Sequence, residues 1–190
     1  MLGSVTDRAH LPTTSYAVLG LLSFRGAMSG YDLKKWSDFS LRFFFWSPAT
    51  SNIYGELKRL RSLGYVTARE VRQDDLRNKR VFSITKDGRA ALERWLRDAP
   101  IEPSVLKEHA LLRVWLGDST DPDRLIEVVK EQEQAAQATL AQLEHSIAEA
   151  RKSERFSYPV LVEEWCERVT KARAEAYAEL RAKLEKKART

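Results

Sequence analysis

Residues 47–85, SPATSNIYGELKRLRSLGYVTAREVRQDDLRNKRVFSIT, decide the fold of this 190-residue chain. The Ser47-Pro48 pair predicts the start of a helix, because serine caps a helix and proline at its first position sacrifices no hydrogen bond. Apolar residues then recur at helical spacing, at Ile53, Leu57 and Leu60. Gly64 follows where this helix should end, because glycine accepts the left-handed backbone of a helix terminus.

Two β-prone segments follow this helix. Residues 65–72 (YVTAREVR) and 80–85 (RVFSIT) are rich in β-branched and aromatic side chains. Turn-forming residues lie between them, at Asp74, Asp75 and Asn78. The pattern predicts a two-stranded hairpin with a charged turn.

Two shorter helices are predicted upstream of residue 47. Residues 16–24 are mostly apolar, and Ser15 is placed to cap them. Ser29 and Asp32 form a variant of the capping box, which predicts a helix that runs to about Phe39. Three helices followed by a hairpin are the order of a winged helix-turn-helix, in which the third helix enters the major groove of DNA. We therefore predict a mainly α fold (α+β winged helix), with this domain over residues 1–100.

Beyond residue 85 the sequence predicts only helices. Thr85 caps one that ends near Pro100, and a second is expected over residues 104–116. Asp121-Pro122 opens a long helix, and Ser157-Tyr-Pro159 separates it from the last one. The apolar stripe of the last helix comprises Leu161, Trp165, Val169, Ala172, Ala176, Leu180 and Leu184. Because such narrow stripes are typical of coiled-coil seams, residues 101–190 are predicted to be an all-helical dimerisation domain.

The third helix carries the side chains that reading DNA requires. Its polar positions are Thr50, Ser51, Asn52, Tyr54, Lys58 and Arg59. An asparagine such as Asn52 can pair with adenine through two hydrogen bonds, whereas Lys58 and Arg59 suit phosphates. Tyr54 fits either a DNA contact or a cap on the core. The hairpin adds cations that can displace counterions from DNA, at Arg69, Arg72, Arg77, Lys79 and Arg80.

Charge and composition narrow the function further. Residues 1–100 carry a net charge of +7 and the remainder −2, which favours a nucleic-acid partner for the first half. No apolar run approaches the ~20 residues of a membrane span and no signal peptide is recognisable, so we expect a cytoplasmic protein without membrane contact. The single cysteine, Cys166, is expected to be a buried thiol. The histidines lack metal-ligand spacing and no phosphate-binding glycine loop is present, so we expect no enzyme activity, metal or cofactor.

Several short segments together resemble the PadR family of bacterial transcription regulators. They are residues 16–22 (YAVLGLL), 29–33 (SGYDL), 45–48 (FWSP), 53–60 (IYGELKRL), 63–66 (LGYV) and 82–88 (FSITKDG), followed by Leu92 and Trp95. The resemblance implies a homodimer on a palindromic operator, usually a repressor and sometimes released by a small ligand. The tail is similar to that of larger members related to virulence-gene regulators, in which it clasps the partner subunit. The chain departs from the family at Gly55, where many relatives carry proline. A glycine there weakens the helix by ~1 kcal/mol relative to alanine but permits close approach of the backbone to DNA.

Three tryptophans are candidates for an effector pocket or for the dimer interface, namely Trp95, Trp115 and Trp165. A cavity lined by them would suit a small aromatic effector, whereas the simpler interpretation is that they fill the interface. Two other functions stay open. One is an adaptor that uses the winged helix to bind protein, and the other is a ligand-binding dimer that has lost DNA binding. An adaptor should lack the steep salt dependence that DNA binding shows.

Overall fold

The computed structural model describes residues 11–45, 47–73 and 76–189. The chain divides into two units, Met1–Glu102 and Pro103–Thr190. None of the described helices combines the length and the apolar content that crossing a membrane requires.

The described residues of the first unit form four α-helices and a hairpin. In chain order its elements are α1 (Thr13–Arg25), α2 (Gly30–Phe39), α3 (Thr50–Ser62), β1 (Val66–Gln73), β2 (Leu76–Ile84) and α4 (Lys86–Asp98). A short 3-10 helix, Leu41–Phe43, lies between α2 and α3. The strands pair antiparallel, with Val66 opposite Ile84 and Ala68 opposite Phe82. The predicted mainly α winged helix with a two-stranded wing is therefore confirmed.

The core of this unit is formed by one face of each of the first three helices. Its fully buried side chains include Leu19, Leu22, Leu33, Ile53, Leu57 and Leu60. The hairpin closes this core with Val66 and Phe82. Phe82 also links the hairpin to the segment before α2. Its N–H donates to the Met28 carbonyl at 2.8 Å, and its carbonyl accepts from the Met28 N–H at 3.0 Å. The wing is thus joined by its backbone to the residues just before α2.

Two of the predicted helix caps are confirmed in this unit. Ser29 and Asp32 form a complete capping box at the start of α2. The Thr85 hydroxyl accepts from the Gly88 N–H at 3.1 Å and donates to the Gly64 carbonyl at 2.8 Å. Gly64 has the left-handed φ of 74° that was expected after α3.

Two other predicted starts are wrong. The first helix begins at Thr13, and Ser15 lies inside it with its N–H bonded to the Pro12 carbonyl at 2.8 Å. The third helix begins at Thr50 after Ala49, without a side-chain cap. Ser47 lies three residues before this start, and its hydroxyl donates to Asp38 on α2 and accepts from Lys34. Ser47 therefore contacts a residue nine positions earlier and does not cap the helix.

The hairpin is longer than the sequence predicted. Asn78, expected in the turn, lies in β2, and β1 continues to Gln73. Asp74 and Asp75 lie outside the described residues. A register irregularity between Val71 and Gln73 marks the outer end of the ladder.

The regular elements described in the second unit are all helices. They are α5 (His109–Trp115), α6 (Pro122–Ala150) and α7 (Ser157–Ala188), with short 3-10 helices at Gly117–Ser119 and Glu154–Phe156. Asp121 caps α6 as predicted, accepting from the Asp123 N–H at 2.9 Å. The helix expected over residues 104–116 is shorter and begins only at His109. Val105 and Leu106 before it are exposed.

The break between the two long helices also differs from the prediction. It falls before Ser157, and Pro159 lies in the first turn of α7, where its missing N–H costs no hydrogen bond. The two helices run antiparallel, because Ser146 contacts Glu163 while the earlier Glu133 contacts the later Arg181. Cys166 is buried on α7, as expected.

One face of α7 stays uncovered within this unit. Its large exposed apolar side chains are Tyr158, Leu161, Val162, Trp165 and Val169, and we call this set the apolar face of α7. Leu180 and Leu184, predicted on the same stripe, instead pack against the core formed with α5 and α6. The predicted stripe therefore divides into an outer part and a part that packs within the chain.

Candidate nucleic-acid interface

Helix α3 is amphipathic, and its polar side is open to solvent. Ile53, Leu57 and Leu60 hold it on the core. The side chains predicted to read DNA all lie on the exposed surface, and we call them the reading face: Thr50, Ser51, Asn52, Tyr54, Lys58 and Arg59. The hydrophobic periodicity predicts their exposure, because the buried stripe leaves only one side of the helix free, and their contact with DNA stays a prediction.

The segment that leads into α3 is fixed by a polar cluster. The Asp38 carboxylate on α2 accepts from the Ser47 hydroxyl and from the Lys34 ammonium. Both hydrogen bonds hold the pKa of Asp38 below its usual value, against the smaller opposing effect of burial. The start of the reading helix is therefore tied to the helix before it.

Tyr54 lies across the first residue of α2. A Cβ atom added to Gly30 would be 2.5 Å from Tyr54 Cζ and 2.8 Å from its Oη. The ring can occupy this position only because residue 30 has no side chain. Tyr54 is nevertheless 49% exposed, so the same ring packs on the protein and is available to a partner.

A second contact fastens the middle of α3. Ser15, fully buried on α1, donates its hydroxyl hydrogen to Glu56. The Glu56 side chain is 15% exposed, and its Oε2 lies 3.7 Å from Arg59 Nε. Beside it, Gly55 faces open space, with no atom within 4 Å of an added Cβ. Gly55, Glu56 and Arg59 border a hollow of about 280 Å³ between α1 and α3, which is also lined by Thr14 and Val18 of α1 and by Ser51 and Asn52 of α3.

The wing cations that the structure describes differ in their surroundings. Arg69 is opposite Val81 and Arg80 is opposite Glu70, so the two arginines lie on opposite faces of the hairpin. Arg80 Nη2 is 3.4 Å from Glu70 Oε1, an exposed cross-strand pair. Two further predicted contacts, Arg72 and Arg77, have side chains outside the described part of the chain.

Lys79 is engaged within the protein. Its Nζ lies 2.8 Å from Asp32 Oδ2, and Asp32 also accepts from the Ser29 N–H at 2.9 Å. Burial alone would raise the pKa of Asp32, but the hydrogen bonds from Lys79 and Ser29 outweigh it and lower that pKa. The carboxylate that closes the capping box of α2 therefore also holds the second wing strand.

Sequence comparison identifies the relatives of this fold. Residues 18–94 match the family described as "Transcriptional regulator PadR-like family". The chain is 35% identical over 132 residues to the "Negative transcriptional regulator PadR" of Bacillus subtilis (strain 168), an alignment that covers 69% of this chain and 71% of that protein. The chain belongs to the PadR-like family.

Two solved structures extend the likeness of this PadR-like protein over most of its length. The crystal structure of Bacillus subtilis PadR in complex with operator DNA matches with a TM-score of 0.77 and 27% identity, covering 91% of this chain and 99% of that one. The structure of Bacillus subtilis PadR with p-coumaric acid matches with a TM-score of 0.69 and 25% identity, covering 92% and 99%. The resemblance inferred from short motifs is confirmed.

The PadR-like chain is a transcriptional regulator, and its family and relatives are not enzymes. Among the residues that the structure describes, no three His, Cys, Asp or Glu side chains cluster in a way that could hold a metal ion. The chemistry available at the reading face is hydrogen bonding and charge, which is what recognition of a duplex needs.

The three tryptophans of this PadR-like regulator have different surroundings. Trp95 stacks on Tyr16 of α1, with ring centroids 4.7 Å apart and planes at 10°. Trp115 and Trp165 belong to the second unit, and both are exposed. Their suggested part in an effector pocket stays a prediction.

Reasoning from the sequence missed Ser15, Glu56 and Asp32 as supports of the interface. Asp32 was recognised only as a cap. Ser15 and Glu56 are 41 positions apart, and Asp32 and Lys79 are 47 apart. The only local signal was the i, i+3 spacing of Glu56 and Arg59, which is common on exposed helices.

Proposed function

We propose that this regulator is a homodimeric repressor that binds a palindromic operator with α3 in the major groove and the hairpin against the backbone or the minor groove. The exposed polar reading face carries this proposal, because it belongs to a fold shared with PadR bound to operator DNA. Repression is supported by the relative, which is a negative transcriptional regulator.

Residues of the interface divide by their chemistry into readers and clamps. Asn52 lies in the first turn of α3, where its amide can reach the edge of an adenine. Lys58 is exposed two turns later and suits a phosphate. Among the wing cations whose side chains the structure describes, Arg69 is the best placed to join it, because Lys79 and Arg80 already contact carboxylates.

The apolar face of α7 supports the homodimer. Trp165 is 60% exposed and Leu161 lies one turn before it, so a single chain leaves a row of large apolar side chains in water. A second copy of this chain would cover this face and would supply the two equivalent reading helices that a palindromic operator requires. Residues from Leu106 onward and the region of α1 complete the proposed contact.

A small aromatic acid is the second element of the proposal. It is favoured by the likeness to the PadR structure that contains p-coumaric acid. Trp95, Trp115 and Trp165 are the candidate contacts, and tryptophan fluorescence is the direct test. A screen of aromatic acids without any quenching would remove the effector while leaving DNA recognition intact.

Affinity measured against salt concentration tests the DNA-binding proposal. The operator is first selected from random duplexes, and its half-sites should be about 10 base pairs apart or a multiple of that spacing. Asn52→Ala should cost about 1–3 kcal/mol on the operator and much less on random DNA. Lys58→Ala should weaken binding to both and lower the salt slope by about one unit.

The same measurement separates the alternatives. A winged helix that serves only as a protein adaptor, or a ligand-binding dimer without DNA binding, would give no steep salt dependence for the unmodified protein. Identical patterns for Asn52→Ala and Lys58→Ala would contradict the division into reader and clamp. Repression is tested by transcription from a template with the operator placed at the promoter, where added protein should lower the yield.

A further inference from the structure

Arg59 and Lys58 are adjacent cations on α3 with different surroundings. Arg59 lies 3.7 Å from the Glu56 carboxylate. Within the part of the chain that the structure describes, no comparable ion pair holds Lys58. The sequence predicts a phosphate contact for both side chains, but of the two only Arg59, whose side chain is 53% exposed, has a carboxylate beside it in the described structure.

The Glu56 carboxylate is itself held from behind. Ser15 is fully buried on α1 and donates to Glu56, whose side chain is mostly covered. A carboxylate so placed cannot reach a base, and next to DNA its charge opposes the phosphates. Its position is suited to fixing the direction of the neighbouring guanidinium.

The orientation of a guanidinium group matters for its contact with a base and matters little for its contact with a phosphate. A guanine offers O6 and N7 to a guanidinium that arrives in one plane, and this bidentate pair is a common specific contact in the major groove. A side chain ordered before binding loses less entropy when it makes that contact. A phosphate, by contrast, accepts a cation from many directions.

The position of Arg59 along α3 agrees with base reading. Asn52 and Arg59 are seven residues apart, so they lie almost in line along the helix, about 10.5 Å from each other. Gly55 lies between them without a side chain, and all three residues border the hollow between α1 and α3. One line of the helix thus presents an amide and a guanidinium with open space between.

We infer that Arg59 reads a guanine in the same half-site as the adenine contacted by Asn52, and that Glu56, held by Ser15, is the positioning residue for Arg59. The inference rests on the proposed function, because it needs α3 in the major groove. It assigns Arg59 to specificity and leaves Lys58 as the phosphate contact of this helix.

Operators that carry 7-deazaguanine at one position at a time provide the test. This base keeps its pairing but lacks the N7 acceptor. The unmodified protein should lose affinity by about tenfold at one guanine of each half-site. Arg59→Ala should be insensitive to that replacement, whereas Lys58→Ala, the matched control, should keep the full tenfold discrimination.

Glu56→Gln isolates the positioning role. It preserves an oxygen that accepts from Ser15 but removes the charge that orients Arg59. Its affinity for random DNA should stay the same or rise, while its preference for guanine over 7-deazaguanine should fall. In an Arg59→Ala background the same change should have no further effect on that preference, which a merely structural role would not produce.

Two results would overturn the inference. One is an equal loss of operator and random-DNA affinity in Arg59→Ala, which would make Arg59 a phosphate contact. The other is a guanine preference that survives Glu56→Gln unchanged, which would remove Glu56 from recognition. A failure of the proposed function is distinguishable, because it would appear as an absence of salt-dependent DNA binding in the unmodified protein.

Discussion

The phenol ring of Tyr54 occupies the space that a side chain at residue 30 would fill. An added Cβ on Gly30 would be 2.5 Å from Tyr54 Cζ and 2.7 Å from Cε1. The two alternatives that the sequence left for Tyr54 are therefore compatible, since one side of the ring packs on α2 and the other remains open. A change at residue 30 can consequently alter the reading face without touching it directly.

Gly30→Ala should displace the Tyr54 ring. Because the clash involves the far end of a movable side chain, we expect the melting temperature to change little. Operator affinity should fall by about 1 kcal/mol, roughly fivefold, as the ring leaves its place. Gly20→Ala is the control, because nothing lies within 4 Å of an added Cβ there. If Gly30→Ala and Tyr54→Ala both bind the operator normally, Tyr54 does not contact DNA.

Gly55→Ala should change stability and affinity in opposite directions. An alanine at this exposed helical position meets no atom within 4 Å, so the free energy of unfolding should rise by ~1 kcal/mol. The new methyl group narrows the hollow between Asn52 and Arg59, so operator affinity should fall. Thermal melting and DNA titration of the same preparation measure both effects. An unchanged affinity would show that the backbone at residue 55 does not approach DNA closely.

Glu163 should make the second unit less stable as the pH rises. The side chain is 4% exposed, Ser146 donates to its Oε1 at 3.0 Å, and Oε2 has no hydrogen-bond partner among the described residues. Burial raises the pKa of Glu163, and the Ser146 hydrogen bond only partly opposes this. An acid with a raised folded-state pKa stabilises the fold below its unfolded value of about 4.3, and this contribution is lost as the pH rises through the folded pKa.

Glu163→Gln removes that dependence. At pH 8 the variant should be more stable than the unmodified protein by about 1–2 kcal/mol, and the difference should shrink towards pH 5. Denaturant unfolding at several pH values and constant protein concentration measures it. The exposed Glu175→Gln serves as the control and should be neutral. A constant difference between pH 5 and pH 8 would contradict a titrating Glu163.

Trp165→Glu should separate the proposed dimer. The charge would lie in the middle of the apolar face of α7, where a second copy is expected to exclude water. We expect a monomer at micromolar concentration by sedimentation, with weaker operator binding because one reading helix is lost. Lys171→Glu introduces the same charge on an exposed position off this face and should leave the dimer intact. A monomeric unmodified protein at that concentration would contradict the dimer itself.

Local patterns predicted the elements of this fold better than their ends. Ser29, Thr85 and Asp121 cap helices as expected, because each cap is completed by an N–H two or three residues later. Ser47 is not a cap, because α3 begins at Thr50 and the Ser47 hydroxyl instead bonds to Asp38 and Lys34 of the preceding helix. Such a competition is decided by tertiary packing, which the residues around Ser47 do not encode.

On the reading face, too, local patterns predicted which residues are exposed but not which contacts they make with distant parts of the chain. Helical periodicity was sufficient to place Asn52 and Lys58 on the exposed side of α3. It could not separate Arg59 from Lys58, because the difference depends on Ser15, in another helix, and on how deeply Glu56 is covered. From its charge alone, Lys79 was predicted to contact DNA like the other wing cations, because the sequence does not show its ion pair with Asp32.

The double engagement of Asp32 restricts how hybrid regulators can be assembled from relatives. A hairpin transplanted without a cation at residue 79 would leave the carboxylate of the α2 cap without its ammonium partner, and a foreign α2 would leave Lys79 without its acid. The hairpin therefore cannot be exchanged between relatives independently of α2. Residues 29–32 and 66–84 should be taken from one parent, so that the Asp32–Lys79 ion pair is kept when the operator preference is exchanged.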